Sequence, residues 1–172
     1  MIRKATLDDL QEVVKVIDDA KALFKSEGSD QWQDTDNYPN YETMKGDYLR
    51  DELYVSVHDN TIAGCVVLSD LEEKAYEIVY DGSWITTGHY MVIHRISVKK
   101  EYYHKGIAKE MMEYIIDVAK SKKVSSIKVD TKVENTRMLS LLKKFGFVEV
   151  GKIHLLRKDV LDKVRVALEL VL

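Results

Sequence analysis

The chain has 172 residues, room for one ordinary domain and not for two, and is read as a single domain over 1–172. Its 45% hydrophobic and 32% charged residues describe a soluble globular protein; no stretch nears the roughly 18 to 20 apolar residues of a membrane span, and MIRKATLDDL lacks a signal-peptide core, so a cytoplasmic location without membrane association is expected. One cysteine, Cys65, excludes an intramolecular disulfide and a cysteine zinc cluster, and a net charge of −3 argues against a nucleic-acid partner.

A short strand at Ile2–Ala5 opens the chain, and Thr6 with Asp9 three residues on forms a capping-box-like helix start. Apolar residues at Leu7, Leu10, Val13, Val14, Ile17, Ala20 and Phe24 then predict a helix to about Ser26. The stretch 27–40 is polar and irregular, and a second helix is expected near Tyr41–Arg50. From Leu53 the period changes to two, and Asp59–Asn60 sits as a turn between strands Leu53–His58 and Ile62–Ser69. Residues 70–88 give no clear period; the part around Trp84 reads as a loop or a further strand. Tyr90–Val98 is a strand by its β-branched content, and Gly106–Lys122 a helix with an apolar stripe. Strand Val124–Thr131, helix Asn135–Phe145 and strands near Phe147–Leu155 and Arg165–Leu172 complete an α/β chain best served by a mixed sheet covered by helices.

The densest chemical signal lies between Ile96 and Met112, where a strand ends at Val98, a basic turn follows and Gly106 stands where a helix must begin. A helix start leaves about four backbone N–H groups without intrahelical partners and carries roughly half a positive charge, which suits a phosphate. Gly106 and Ala108 carry no bulky side chain to keep a diphosphate off that backbone, and Lys99, Lys100, His104, Lys105 and Lys109 add positive potential. An ordinary strand-to-helix turn with solvated lysines fits the same spacing.

The six residues Tyr103, His104, Lys105, Gly106, Ile107 and Ala108 resemble the Gln/Arg-x-x-Gly-x-Gly/Ala signature of the GNAT acetyltransferase superfamily, with Tyr103 departing from it. Asn135, Leu139, Leu142 and the run Lys143-Lys144-Phe145-Gly146-Phe147 are similar to the family's Asn-headed helix and its Gly-Phe exit. The opening Ile-Arg-Lys-Ala-Thr-x-x-Asp-Leu and the element order match as well, and Gln31-Trp32 with His94–Val98 resembles a little-characterised bacterial group of the family. The resemblance implies a mostly antiparallel central sheet flanked by helices, with splayed central strands. It further implies that Ile96, Ser97 and Val98 pair with the pantetheine arm of acetyl-CoA, and that residues Tyr103, His104, Lys105, Gly106, Ile107, Ala108 and Lys109 hold the pyrophosphate. Asn135, a good N-cap in its own right, would lie near the pantetheine.

The implied reaction is direct transfer of the acetyl group from acetyl-CoA to a primary amine of a small molecule such as an amino acid or polyamine, with no metal. The alternatives are a silent acyl-CoA-binding module and a protein N-terminal or lysine acetyltransferase. The family's general acid is a Tyr seven residues after the Asn, and here that position is Leu142, so Tyr102, Tyr103, a water or the amine's own proton must serve instead. His94, with an intrinsic pKa near 6.5, is the candidate base or else a structural histidine, and Glu77 acting through water is the second candidate. Alternation puts His94 and Arg95 on opposite faces of their strand, with Arg95 an internal charge for Glu77 or Asp130. Trp32, Tyr38, Trp84 and Tyr90 are the expected acceptor-binding aromatics, beside Asp30, Asp34 and Asp36; a core or dimer surface is the other reading of such rings. Cys65, in a Val-rich strand, reads as a buried small apolar residue.

Residues 1–98 carry 9 Lys/Arg against 19 Asp/Glu, whereas residues 99–172 carry 17 against 10. The split fits an anionic ligand on the second half and a cationic acceptor on the first, or a solvated surface with no partner. Paired sheet edges or the tyrosine-rich surface would support a homodimer.

Overall fold

The structure is a computed structural model that describes residues 1–158, 160 and 162–172. Among these residues seven strands, β1 (Ile2–Lys4), β2 (Leu53–His58), β3 (Thr61–Ser69), β4 (Tyr90–Val98), β5 (Ser126–Thr131), β6 (Val148–His154) and β7 (Val164–Val171), form one sheet in the order β1-β2-β3-β4-β5-β7-β6. Four α-helices among the described residues accompany it: α1 (Leu10–Ser26), α2 (Tyr41–Leu49), α3 (Ile107–Ser121) and α4 (Thr136–Lys144). The mixed, mostly antiparallel α/β arrangement is the one expected. Among the described residues no helix is long and apolar enough to cross a membrane.

The chain divides into two compact units, Met1–Leu68 with His94–Ile115, and Ser69–Ile93 with Ile116–Leu172. In the first, a 3-10 turn at Leu7–Asp9 leads into α1, and the Asp9 carboxylate accepts the Thr6 N–H at 2.7 Å while gripping Arg3, the capping half foreseen from Thr6 and Asp9. Leu10, Val13, Val16 and Ile17 of α1 and Met44 of α2 pack on Leu53, Val55, Ile62, Cys65 and Val67 of β2 and β3. Asp59 and Asn60 both take left-handed φ, as a two-residue hairpin turn requires, and they set His58 opposite Thr61. A Cβ on Gly64 would lie 2.9 Å from both the Ser97 carbonyl oxygen and Met111 Cε, so this glycine is what lets the start of α3 approach β3.

In the second unit β5 pairs in parallel with Tyr90–Val92 and antiparallel with β7, and β7 in turn with β6. Ala75, Tyr76, Val92, Ile153 and Ala167 form its core, flanked by Trp84 and Tyr90. Gly146 ends α4 at φ 89°, where the Phe147 N–H reaches the Leu142 carbonyl at 3.1 Å. The ambiguous stretch 70–88 contains one 3-10 turn, Lys74–Glu77, and a lone bridge from Tyr80 to Lys152; Trp84 lies on a loop.

Candidate functional site

β4 runs through the richest chemistry of the first unit. Its interior residue Arg95 has φ 53°, a left-handed conformation rare for a side-chain-bearing residue in a strand. That residue breaks the period of two, so strict alternation of His94 and Arg95 does not carry through this strand. Arg95 does not pair with Glu77 or Asp130 as expected. Its Nε and Nη2 donate to the two oxygens of Asp47 at 2.8 and 2.7 Å, and Nη1 donates to the Tyr38 hydroxyl at 2.8 Å. Asp47 is fully buried on α2 and also accepts from Arg50 at 2.5 Å, and Arg50 Nε donates to Glu52 at 3.0 Å. A buried carboxylate with this many charged donors offsets its own desolvation. Burial disfavours the Arg95 charge, but Tyr38 and Asp47 outweigh it and raise its pKa.

His94 adjoins this cluster, and burial, reinforced by the charges of Arg95 and Arg50, pushes its imidazole down to about 3. The ring is therefore neutral at neutral pH. Tyr38 follows a loop in which Trp32 and Asn37 have left-handed φ and Trp32 packs edge-on against Phe24 at 5.4 Å between centroids. Trp32 thus joins the α1 core, while Tyr38 reaches β4 through Arg95. Cys65 is buried, and burial lifts its thiol to about 12, so it is no nucleophile at neutral pH.

Beyond Val98 the chain turns through a 3-10 segment at Lys100–Tyr102 into α3. His104 and Gly106 are left-handed at φ 61° and 81°, and nothing lies within 4 Å of where a Gly106 Cβ would point. The glycine is there for its φ, and the space beside it is open. The Glu110 N–H bonds the Gly106 carbonyl at 3.0 Å, so the N–H groups of Ile107, Ala108 and Lys109 have no carbonyl one turn back within the helix. His104, Lys105 and Lys109 are exposed around this start, with Lys105 Nζ 5.2 Å from the Tyr102 ring centre. Open space, helix-start donors and positive side chains are what a diphosphate needs. Tyr103 turns inward, its hydroxyl donating to the Asp19 carbonyl at 3.3 Å. Ser97 is buried, and Ile96 and Val98 keep partial exposure on the strand leading to the turn.

The second unit holds the remaining expected residues. Tyr76 donates to Asp130 at 2.6 Å, and burial raises both groups above their ordinary values. Trp84 and Tyr90 face a ligand of the chain's own: Lys128 Nζ sits 4.4 and 3.8 Å from their ring centres. The Trp84 Nε1–H donates to the Tyr76 carbonyl, and the Tyr90 hydroxyl accepts the Glu73 N–H. Each of these two rings therefore has one face over the Lys128 ammonium. Glu77 is exposed, on the rim of a cavity of about 180 Å³ shared with Lys74, Tyr80 and His154. Asn135 caps α4, accepting the Met138 N–H at 3.3 Å and donating to Thr131 at 3.2 Å. Leu142 is wholly buried in the core. Among the described residues no group of three or more His, Cys, Asp or Glu is placed to hold a metal ion.

Asp47 and Asp19 escaped the sequence reading. The signal for Asp47 is its place three residues after Met44 on the buried side of a short helix, where an aliphatic residue is the usual choice.

The acetyltransferase (GNAT) family model matches residues 17–147, and the chain belongs to that family. A GNAT-family acetyltransferase from Streptococcus agalactiae has 29% identity and a TM-score of 0.89, over 100% of this chain and 95% of its own. A putative acetyltransferase from Staphylococcus aureus has 29% identity and a TM-score of 0.73, over 99% and 98%. The ribosomal-protein-S18-alanine N-acetyltransferase from Escherichia coli shares the fold at 11% identity and a TM-score of 0.69, over 99% and 92%. No match is found among curated proteins.

Proposed function

We propose that the chain is an N-acetyltransferase that moves the acetyl group of acetyl-CoA directly to the primary amine of a small molecule, an amino acid, a polyamine or a relative of these. The observation that carries the reading is the open, left-handed turn at His104–Gly106 feeding the start of α3, inside a chain of the GNAT family. Acetyl-CoA supplies an activated thioester. The N–H groups of Ile107, Ala108 and Lys109, with His104 and Lys105, would hold its diphosphate, and Ile96, Ser97 and Val98 offer the strand edge to its pantetheine.

An alkylammonium with a pKa of about 10 must lose a proton before it attacks. His94, held near 3, is too weak a base to remove it: a transfer across about seven pKa units is uphill by roughly 9 to 10 kcal/mol. The amine therefore enters neutral, its proton already given to water. As its nitrogen bonds the acetyl carbon and the C–S bond breaks, the nitrogen's surplus proton passes to the departing thiolate. That route needs no side-chain acid, in keeping with Leu142 in the core and with Tyr103 bonded to α1.

Leu142 also favours a second reading, an acyl-CoA-binding module without turnover. Calorimetric titration with CoA tests both readings, and absence of binding below millimolar sinks them together. Free-thiol release from acetyl-CoA across a panel of amines separates them: tight CoA binding without release leaves the module.

A further inference from the structure

We propose that Tyr103 is a positioning residue which, with Asp19, holds the 99–106 turn in its diphosphate-binding shape. The inference rests on the reading of residues 104–109 as the diphosphate site. Tyr103 occupies the position where the family signature carries Gln or Arg, and the structure shows what the tyrosine does there. A single residue of α1 grips the turn twice. The Asp19 carboxylate accepts the Lys100 N–H at 2.8 Å, and the Asp19 carbonyl accepts the Tyr103 hydroxyl at 3.3 Å. Between the two grips the turn is closed on itself, the Tyr102 and Tyr103 N–H groups bonding the Lys99 and Lys100 carbonyls at 2.9 and 3.2 Å.

The other flank is tied as well. The Lys99 N–H reaches the Ala63 carbonyl at 2.8 Å, and the Tyr102 hydroxyl reaches the His58 carbonyl at 3.3 Å. Immediately after Tyr103 comes His104, a left-handed residue with a full side chain, which persists only where its surroundings hold it. The Tyr103 hydroxyl is the last tether before that residue. Removing it frees the turn before ligand arrives, so binding must order what the native chain has already ordered. A hydroxyl engaged on a helix carbonyl is a strut and not the proton donor of the reaction.

The test compares Tyr103→Phe and Asp19→Ala with the native chain, using acetyl-CoA and acetyl-pantetheine, which lacks the diphosphate and the nucleotide. Each variant is expected to raise KM for acetyl-CoA, and the calorimetric Kd for CoA, about 3- to 10-fold, as loss of one ordinary hydrogen bond would, Asp19→Ala removing the Lys100 grip and Tyr103→Phe the other. The kcat should stay within about twofold, and both constants for acetyl-pantetheine should be unchanged. A fall in kcat of about 100-fold or more with both donors would instead make Tyr103 a proton donor and overturn the inference. Equal CoA affinity in native chain and both variants also overturns it, leaving the acetyltransferase reading intact; failure of the native chain to bind CoA at all removes that reading itself.

Discussion

His94 enters the folded state without its proton, and that makes stability depend on pH. Its folded pKa is about 3 and its unfolded value about 6.5. Above pH 6.5 neither state binds the proton. As the pH falls below 6.5 the unfolded chain takes up a proton that the folded imidazole refuses until about 3, so this stabilisation is lost on acidification at about 1.4 kcal/mol per pH unit. At pH 5 the loss is about 2 kcal/mol. Denaturant midpoints between pH 7 and 5 should therefore fall less in His94→Gln than in the native chain; parallel curves would refute the assignment. The same imidazole leaves no inflection near pH 6.5 in kcat/KM, which should keep rising towards the pKa of the amine. Ser56 is a different case: its buried hydroxyl has no hydrogen-bond partner among the described residues. Ser56→Ala removes that unsatisfied group at little cost in volume and should raise stability by about 1 kcal/mol, read as a higher midpoint at equal m-value.

At the scale of elements, the helices and strands with local signals were legible in the residues. Thr6 with Asp9, the Asp59–Asn60 turn and Gly146 each mark an element end by a backbone requirement that only a few residue types meet, and each stands where expected. The 70–88 stretch was not legible because its order comes from distant partners: Glu169 of β7 accepts the Ile85 and Thr86 N–H groups at 2.6 and 3.3 Å, and periodicity does not encode such bonds. Burial works to raise the Glu169 carboxyl, yet the bonds from Thr86, Ile85 and Ser126 outweigh it and hold it ionised. The Arg95 partner was missed for a related reason. A strand pattern carries alternation, but one left-handed residue cancels it, and the carboxylate that Arg95 meets lies 48 positions earlier on α2. The turn proposed for the diphosphate was legible in outline because Gly106 and the lysines are local; its anchoring by Asp19 was not. Gly64 shows how tightly β3 and α3 are fitted. Gly64→Ala forces its Cβ against backbone at Ser97 and should cost about 1 to 3 kcal/mol, whereas unaltered stability would mean that α3 has room to retreat.

For the whole molecule, the small net charge of −3 conceals opposite balances in the two parts of the sequence, and the basic part contains the turn proposed for the diphosphate. Lys105 is exposed, so its contribution to an anionic ligand is screened by salt. CoA affinity should fall as ionic strength rises, and Lys105→Glu should lower it several-fold while flattening the salt dependence; equal affinity in the variant would move the diphosphate elsewhere. Two carboxylates of the acidic part are engaged by the chain itself, Asp47 by two arginines and Asp19 by the turn. The chain's two tryptophans are divided between the units, Trp32 edge-on to Phe24 in one and Trp84 beneath the Lys128 ammonium in the other. Each indole is thus a private fluorophore for its own unit, one beside an aromatic edge and one beside a cationic quencher. In Trp32→Phe and Trp84→Phe the surviving emission follows a single unit through denaturation, and coincident transitions in the pair would mark the chain as one cooperative folding entity.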